Sequence, residues 1–227
     1  MKFKSQVLTQ ASGSIGGITY SHNKGGLYQR ARTIPTDPAT APQVQMRNFV
    51  SQLVVRWTAV LTQVQRDAWA VYAANVPVID ALGDAMFISG LNWYVKMNTI
   101  RKLAPEAGVD NAPTTFTMAA LTEPIFTVAS ATDLASVAFV NTDSWATGVL
   151  GSLLCFFSRP QSAGINFFKG PYRFAASIPG AVIPPTSPQN IGLSFPCAAG
   201  NKIFAKFVAT DLDGRVSASL RSSAIAA

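Results

Sequence analysis

The sequence predicts an α+β protein in three parts: an extended N-terminal arm, a small three-helix part with a short hairpin, and a C-terminal antiparallel β-sandwich. Three observations carry this reading. Residues 1–41 are rich in glycine and proline and show no long periodic pattern. Residues 42–112 repeat apolar side chains every three or four positions, as helices do. After Pro113, over residues 113–227, the apolar period falls to about two.

The arm contains Gly13, Gly16, Gly17, Gly25 and Gly26, then Pro35, Pro38 and Pro42. Its charges are Lys2, Lys4, Lys24, Arg30 and Arg32 against Asp37, a net of +4. Glycine leaves the backbone free, and proline pushes the residue before it toward extended geometry. Such a segment is expected to gain order by lying along something else. Two stretches within it are strand-capable, Ser14 to Ser21 and Leu27 to Thr33, joined by a turn at Asn23-Lys24-Gly25-Gly26.

Helix signals come next. Thr40 with Gln43 has capping-box spacing, and Pro42 is tolerated in a first turn whose amides lack helical partners. Met46, Phe49, Val50, Leu53, Trp57, Val60 and Leu61 then draw one stripe. A second box, Thr62 with Gln65, restarts a helix with Ala68, Trp69, Tyr72 and Ala73 inward, stopping before Pro77. Val78 to Ile88, around Leu82-Gly83-Asp84, reads as a hairpin. Ser89 caps a third helix through Trp93, Tyr94, Met97 and Ile100 to the stop at Pro105.

Candidate strands of the third part are Thr114–Met118, Ile125–Ala129, Leu134–Asn141, Leu150–Arg159, Tyr172–Ile178, Asn190–Phe195, Lys202–Asp211 and Val216–Ser222. Proline- and glycine-bearing turns separate them, the punctuation of a sandwich. In Lys202–Asp211, Ile203, Ala205, Phe207 and Ala209 alternate with Phe204, Lys206, Val208 and Thr210. One face must be core, and Phe204 with Val208 implies that the other is partly covered.

Composition narrows the chemistry. The 227 residues carry 18 Lys+Arg against 11 Asp+Glu, a net of +7, and only 13% are charged, where about a quarter is usual. No apolar run approaches the roughly 18–20 residues of a membrane-spanning helix, and Met1–Gln6 lacks a secretory leader's apolar stretch. A soluble protein made in the cytosol, with no membrane association, is expected. Two cysteines, Cys155 and Cys197, do not make a cysteine zinc site, and are expected as thiols. The single His22 sits in a glycine-rich stretch with no Ser or Cys partner to assign. No catalytic residue, cofactor or metal is therefore expected.

Other motifs read blandly. Gly13-Ser14-Ile15-Gly16-Gly17 has neither a preceding buried strand nor a following helix, so it reads as flexible arm rather than a phosphate loop. Asp211, Asp213 and Gly214 read as a hairpin turn, since the further oxygen ligands of a calcium loop are missing. Asp80 and Asp84 read as solvated turn residues. Trp57, Trp69, Trp93 and Tyr94 read as helical core rather than a base-stacking platform, with Arg56 and Arg66 on the exposed face.

The basic arm is the part folding explains least. Residues 1–112 hold 11 basic and 6 acidic side chains (+5), residues 113–227 hold 7 and 5 (+2). Such an arm can neutralise phosphates, or add a strand to a partner's sheet edge. Ile15, Ile18, Tyr20, Leu27 and Tyr28 interleave with polar residues, which favours a protein partner because phosphate has no use for apolar alternation.

The run Gly13 to Ser21, then Tyr28-Gln29-Arg30-Ala31-Arg32, Pro35-Thr36-Asp37-Pro38-Ala39-Thr40 and Leu61 to Trp69 resembles a family of tailed-phage and prophage virion structural proteins. The shared pattern is a Gly-rich arm, an Asn/Asp-Pro-x-Thr helix start and an Arg-x-x-Trp helix. It spans about the first 105 residues, with Asp37 where the family usually has Asn. The remainder resembles fibronectin III or immunoglobulin-like modules that decorate virions. The resemblance implies a non-enzymatic virion protein, a capsid decoration or cement protein that binds the major capsid protein or other virion proteins and forms a homo-oligomer on the particle. The alternative within that class is a neck or tail connector or a fibre-anchoring protein. The alternative from another class is a DNA-binding protein using the arm. Partner contacts are expected at Lys2, Lys4, Ile15, Ile18, Tyr20, Tyr28, Arg30 and Arg32.

Overall fold

In a computed structural model, which describes residues 11–23, 26–34, 36–79, 84–104 and 106–227, the protein is α+β. The chain divides into two compact units, Met1–Val44 and Gln45–Ala227.

Helix α1 spans Ala41–Ala59, and the Thr40 amide donates to Gln43 Oε1 (3.2 Å) at its start. Only Leu53 of α1 is buried. Val50 and Val60 of the expected stripe are 41% and 56% exposed, because α1 meets other elements mainly through Phe49, Gln52, Leu53, Arg56 and Trp57. Helix α2, Gln63–Asn75, begins with the full reciprocal box: Thr62 N–H donates to Gln65 Oε1 (2.9 Å) and Gln65 N–H to Thr62 Oγ1 (3.3 Å). Trp69, Tyr72 and Ala73 are buried as expected, whereas Ala68 is exposed. Strands β4 (Val78–Ile79) and β5 (Ala85–Met86) form the expected hairpin in shorter form. Asp80, Leu82 and Gly83 lie outside the described residues, and Asp84 is exposed. Helix α3, Gly90–Leu103, starts at Ser89, whose hydroxyl accepts from the Asn92 amide (3.3 Å).

The aromatic residues of the three helices pack on one another. Trp69 meets Tyr72 and Tyr94 edge-on at 5.9 and 5.6 Å, and Tyr72 meets Trp93 at 5.4 Å. Arg66, expected outside, is half-buried: its Nη2 donates to the Thr58 and Leu61 carbonyls (3.2 and 2.8 Å), closing the turn between α1 and α2. Arg56 is partly exposed but grips Asp110 with two bonds of 2.7 and 2.6 Å. Asp110 also accepts from the Tyr94 hydroxyl (3.4 Å), and its carbonyl accepts from Trp69 Nε1 (2.8 Å). Buried Asn98 completes the seam, donating to the Tyr94 and Val109 carbonyls and accepting from the Val109 amide at 2.7 Å.

Beyond this, two antiparallel sheets face each other. One has the order β10-β7-β6, with β6 Ile125–Ala129, β7 Leu134–Ala138 and β10 Gln189–Gly192. The other has the order β12-β11-β8-β9, with β8 Ser152–Phe157, β9 Arg173–Pro179, β11 Lys202–Thr210 and β12 Leu220–Ile225. Phe126, Val128, Ala135, Val137 and Ile191 of the first pack with Leu153, Cys155, Phe157, Ile203, Phe207 and others of the second. The Val128–Ala226 bridge, with Ala227 N–H donating to the Val128 carbonyl (3.0 Å), ties one edge of each sheet to the other.

Four expectations are corrected. Thr114–Met118 forms no strand; Phe116 turns toward the helices and packs on Tyr72 at 6.0 Å. The last strand is Leu220–Ile225, so that only Leu220–Ser222 of the predicted Val216–Ser222 fall in it, and Val216 forms an isolated bridge to Thr210. A fourth helix, α4 (Ser144–Thr147), stands among the strands where the sequence predicts none. It brings Trp145 into the core, and a Cβ on Gly151 or Gly180 would stand 2.3 or 2.0 Å from the Trp145 carbonyl oxygen. The N-terminal arm, finally, expected to gain order along something else, is paired within itself: its two strand-capable stretches pair with each other, and the first splits at Gly16-Gly17 into two strands. Cys155 and Cys197 are free thiols; burial pushes Cys155 up to about 12. The Asp211–Gly214 turn is as read: Gly214 (φ +87°) donates to the Asp211 carbonyl. Asp211 and Asp213 pair with Arg215, which also donates to the Thr117 carbonyl.

Arg101, fully buried in the last turn of α3, joins helices to sandwich. Its Nε donates to the Ala107 carbonyl (2.9 Å), and its Nη1 to the Leu150 (3.2 Å) and Asp211 (2.9 Å) carbonyls. Replacing Arg101 by Met removes three hydrogen bonds to carbonyls and is expected to cost about 2–4 kcal/mol in urea unfolding. Lys at this position should not rescue, since one ammonium cannot reproduce the fork.

The Arg56 bond holds the Asp110 carboxyl below its ordinary range. Because the folded value is the lower one, the pair's contribution is full above the ordinary value and fades as pH falls through the folded value. The stability gap between the protein and its Asp110→Asn variant, about 1 kcal/mol near neutrality after allowing for solvent at Arg56, should therefore shrink below about pH 4. Urea midpoints measured across pH check this.

Candidate partner-binding sheet

The arm folds into a three-stranded antiparallel sheet of β1 (Gly13–Ile15), β2 (Ile18–Asn23) and β3 (Gly26–Ala31). The physical reason that it does not lie extended is Gly16-Gly17. Gly16 adopts φ +57°, which lets Ile15 turn back to pair with Ile18, so β1 splits from what reads as one continuous strand. A Gly-Gly pair between apolar residues is itself a hairpin signal, and it is the signal in the sequence that points to β1. Among the described residues, β2 thus finds strand partners on both sides within the arm. Lys24 and Gly25 of the expected turn lie outside the described residues, as do Lys2 and Lys4.

Register and alternation sort the candidate residues onto two faces. Ile18 pairs with Ile15 on one side and Ala31 on the other, and Tyr20 with Gly13 and Gln29; these share one face. Ser14 pairs with Thr19, their hydroxyls 2.8 Å apart, and Thr19 with Arg30, while Ser21 pairs with Tyr28. The Arg32 amide donates to the Gly17 carbonyl (2.8 Å), continuing the same register. Of the six described candidates, Ile15, Ile18 and Tyr20 therefore share an apolar face, and Tyr28, Arg30 and Arg32 belong to a polar, cationic one. The six described candidates do not form one patch.

Among residues 11–22 and 28–34 none is buried. Ile15 is 77% exposed and Ile18 40%. The sheet is a single layer with an apolar face open to solvent, and His22 is exposed beside it. A hollow of about 250 Å³ lies at Gly17, Ile18, Gln29, Arg30 and Ala31.

Since Ile15 and Ile18 are solvent-exposed, changing both to Ser is expected to change the urea-unfolding free energy of the Gln45–Ala227 unit by less than about 0.5 kcal/mol. Trp57, Trp69, Trp93 and Trp145 all belong to that unit, so tryptophan fluorescence reports it.

No protein-family description matches the chain, and no curated protein matches it. Among solved structures, a Fn3-like protein from Clostridium thermocellum is similar over 48% of this chain and 92% of its own, at 17% identity and a TM-score of 0.31.

Proposed function

We propose that this chain is a non-enzymatic virion structural protein, a capsid decoration or cement protein, that attaches to capsid subunits through its N-terminal sheet. The observation that carries the reading is the uncovered apolar face of β1–β3. A sheet whose Ile15 and Ile18 face water leaves its apolar burial to another surface. The arm's residues also carry the likeness to phage virion proteins, and the three-on-four sandwich suits a fibronectin III-like module presented on a particle.

Attachment in this reading has two separable parts. Ile15, Ile18 and Tyr20 bury against a capsid subunit, and Arg30 and Arg32 on the other face meet a neighbouring acidic surface, with Lys2 and Lys4 adding charge. Salt should weaken the second part and leave the first. Neck or tail attachment would use the same chemistry, and copy number per particle separates the two positions.

Removing residues 1–36 tests the proposal. The truncated protein, with residues 45–227 retained, is expected to lose capsid occupancy in a particle-binding assay. Unchanged occupancy would end the anchoring model.

A further inference from the structure

The outer face of the four-stranded sheet carries a second feature, independent of the arm. Register places Arg221, Lys206, Phe156 and Phe174 in one row across β12, β11, β8 and β9. Arg221 and Lys206 are thus like charges directly opposite each other, a pairing that destabilises a sheet. Neither has a hydrogen bond or ion pair among the described residues; the ion pairs described are those of Arg56 and Arg215. Both cations lie instead over aromatic rings: Lys206 Nζ is 4.7 Å from the Phe156 ring centre, and the Arg221 guanidinium 5.9 Å from that of Tyr172. Lys202 Nζ lies 5.5 Å from the Phe204 ring in the same way. Burial and the neighbouring Arg221 push the Lys206 ammonium below its ordinary range.

Beside the two cations is a cavity of about 180 Å³ lined by Phe168, Tyr172, Phe204, Arg221, Ser222 and others, with Phe168 stacked on Phe204 at 5.4 Å. The adjacent Phe167 is 73% exposed. That volume is below the roughly 300–1,000 Å³ of small-molecule sites and is of the size of one side chain. Aromatics around an arginine, Phe167 exposed and Phe168 and Tyr172 half-buried, with no carboxylate among the lining residues, are the composition of a protein-interface hot spot. A nucleic-acid strand asks for cations spaced along a track, whereas these two stand side by side.

We propose that this face docks an acidic peptide segment of a partner protein, one carboxylate bridging Lys206 and Arg221 while a neighbouring apolar side chain enters the cavity that Phe168, Tyr172 and Phe204 line. The bridging carboxylate turns a repulsive cross-strand pair into a compensated one, and the guanidinium can take it with two parallel bonds.

The test is an NMR titration of the full chain with a short synthetic peptide bearing two glutamates beside a phenylalanine. Its glutamine analogue and an oligothymidylate are the comparison probes. Amide shifts at residues 204–206 and 220–223 are expected with the acidic peptide, at an affinity about tenfold or more above that of the analogue. Arg221→Glu, on an exposed strand position, should lose that tenfold with the rest of the spectrum unchanged. Lys206→Met, which keeps the packing on Phe156, should lose a smaller factor. The proposal falls if the acidic peptide produces no shifts, if the analogue binds equally, or if Arg221→Glu binds unchanged. Oligothymidylate binding as tightly as the acidic peptide would overturn it in favour of a nucleic-acid face.

Discussion

The buried guanidinium of Arg101 is the constraint on which the larger unit depends. A cation withdrawn from water is costly unless its donors are used, and burial pulls the Arg101 pKa downward. Its Nε and Nη1 reach carbonyls from three separate segments, Ala107 just after α3, Leu150 just before β8, and Asp211 just after β11, while the buried Nη2 has no hydrogen-bond partner among the described residues. β8 and β11 are the paired central strands of their sheet, and they meet at that end through the Ser152 and Thr210 hydroxyls, 2.9 Å apart in the interior. One side chain in the last turn of a helix therefore fixes the end of the sheet's central pair. Its position at the helix C-terminus also suits a positive charge.

The stretch after α3 is held by the same kind of bonding. Residues 106–111 have no regular structure, yet their polar groups are used: Ala107 by Arg101, Val109 by Asn98, Asp110 by Arg56, Tyr94 and Trp69, Asn111 by Gln65. This irregular stretch is fastened to all three helices at once. Helices and sandwich are accordingly parts of one compact unit, although the apolar period changes sharply between them.

Local patterns make much of this legible. The Thr62–Gln65 box needs only four consecutive residues, and it marks the start of α2 where it stands. The alternation in Lys202–Thr210 identifies the core face, and Phe204 and Val208, 6% and 7% exposed, confirm that the other face is partly covered. The features that stay hidden depend on distant partners. Nothing near Arg101 announces a carbonyl 110 residues away, and a basic side chain in a last helical turn ordinarily reads as solvated. Phe116 alternates like a strand residue but finds Tyr72 instead of a neighbouring strand. In the arm, the overall glycine and proline content points to an extended chain and masks the local Gly16-Gly17 turn that allows self-pairing. The apolar alternation is visible in the sequence, but only the register shows that it separates isoleucines from arginines.

That separation bears on how the proposed attachment works. Ordering a residue costs about 1–2 kcal/mol, and each backbone hydrogen bond returns about 0.5–1.5 kcal/mol net. A sheet with three strands and no second layer is thus close to balance without buried apolar area. An arm extended in isolation would place the whole ordering cost on binding, and affinity would fall accordingly. A sheet already paired within itself has met that cost in its own hydrogen bonds. In the proposed complex, burial of the Ile15–Ile18 face would then count almost wholly toward affinity. In that proposed complex, preorganisation would move the task of the arm from folding on a partner to presenting a finished surface, and specificity would be carried by which partner offers an apolar seat on one side and carboxylates on the other.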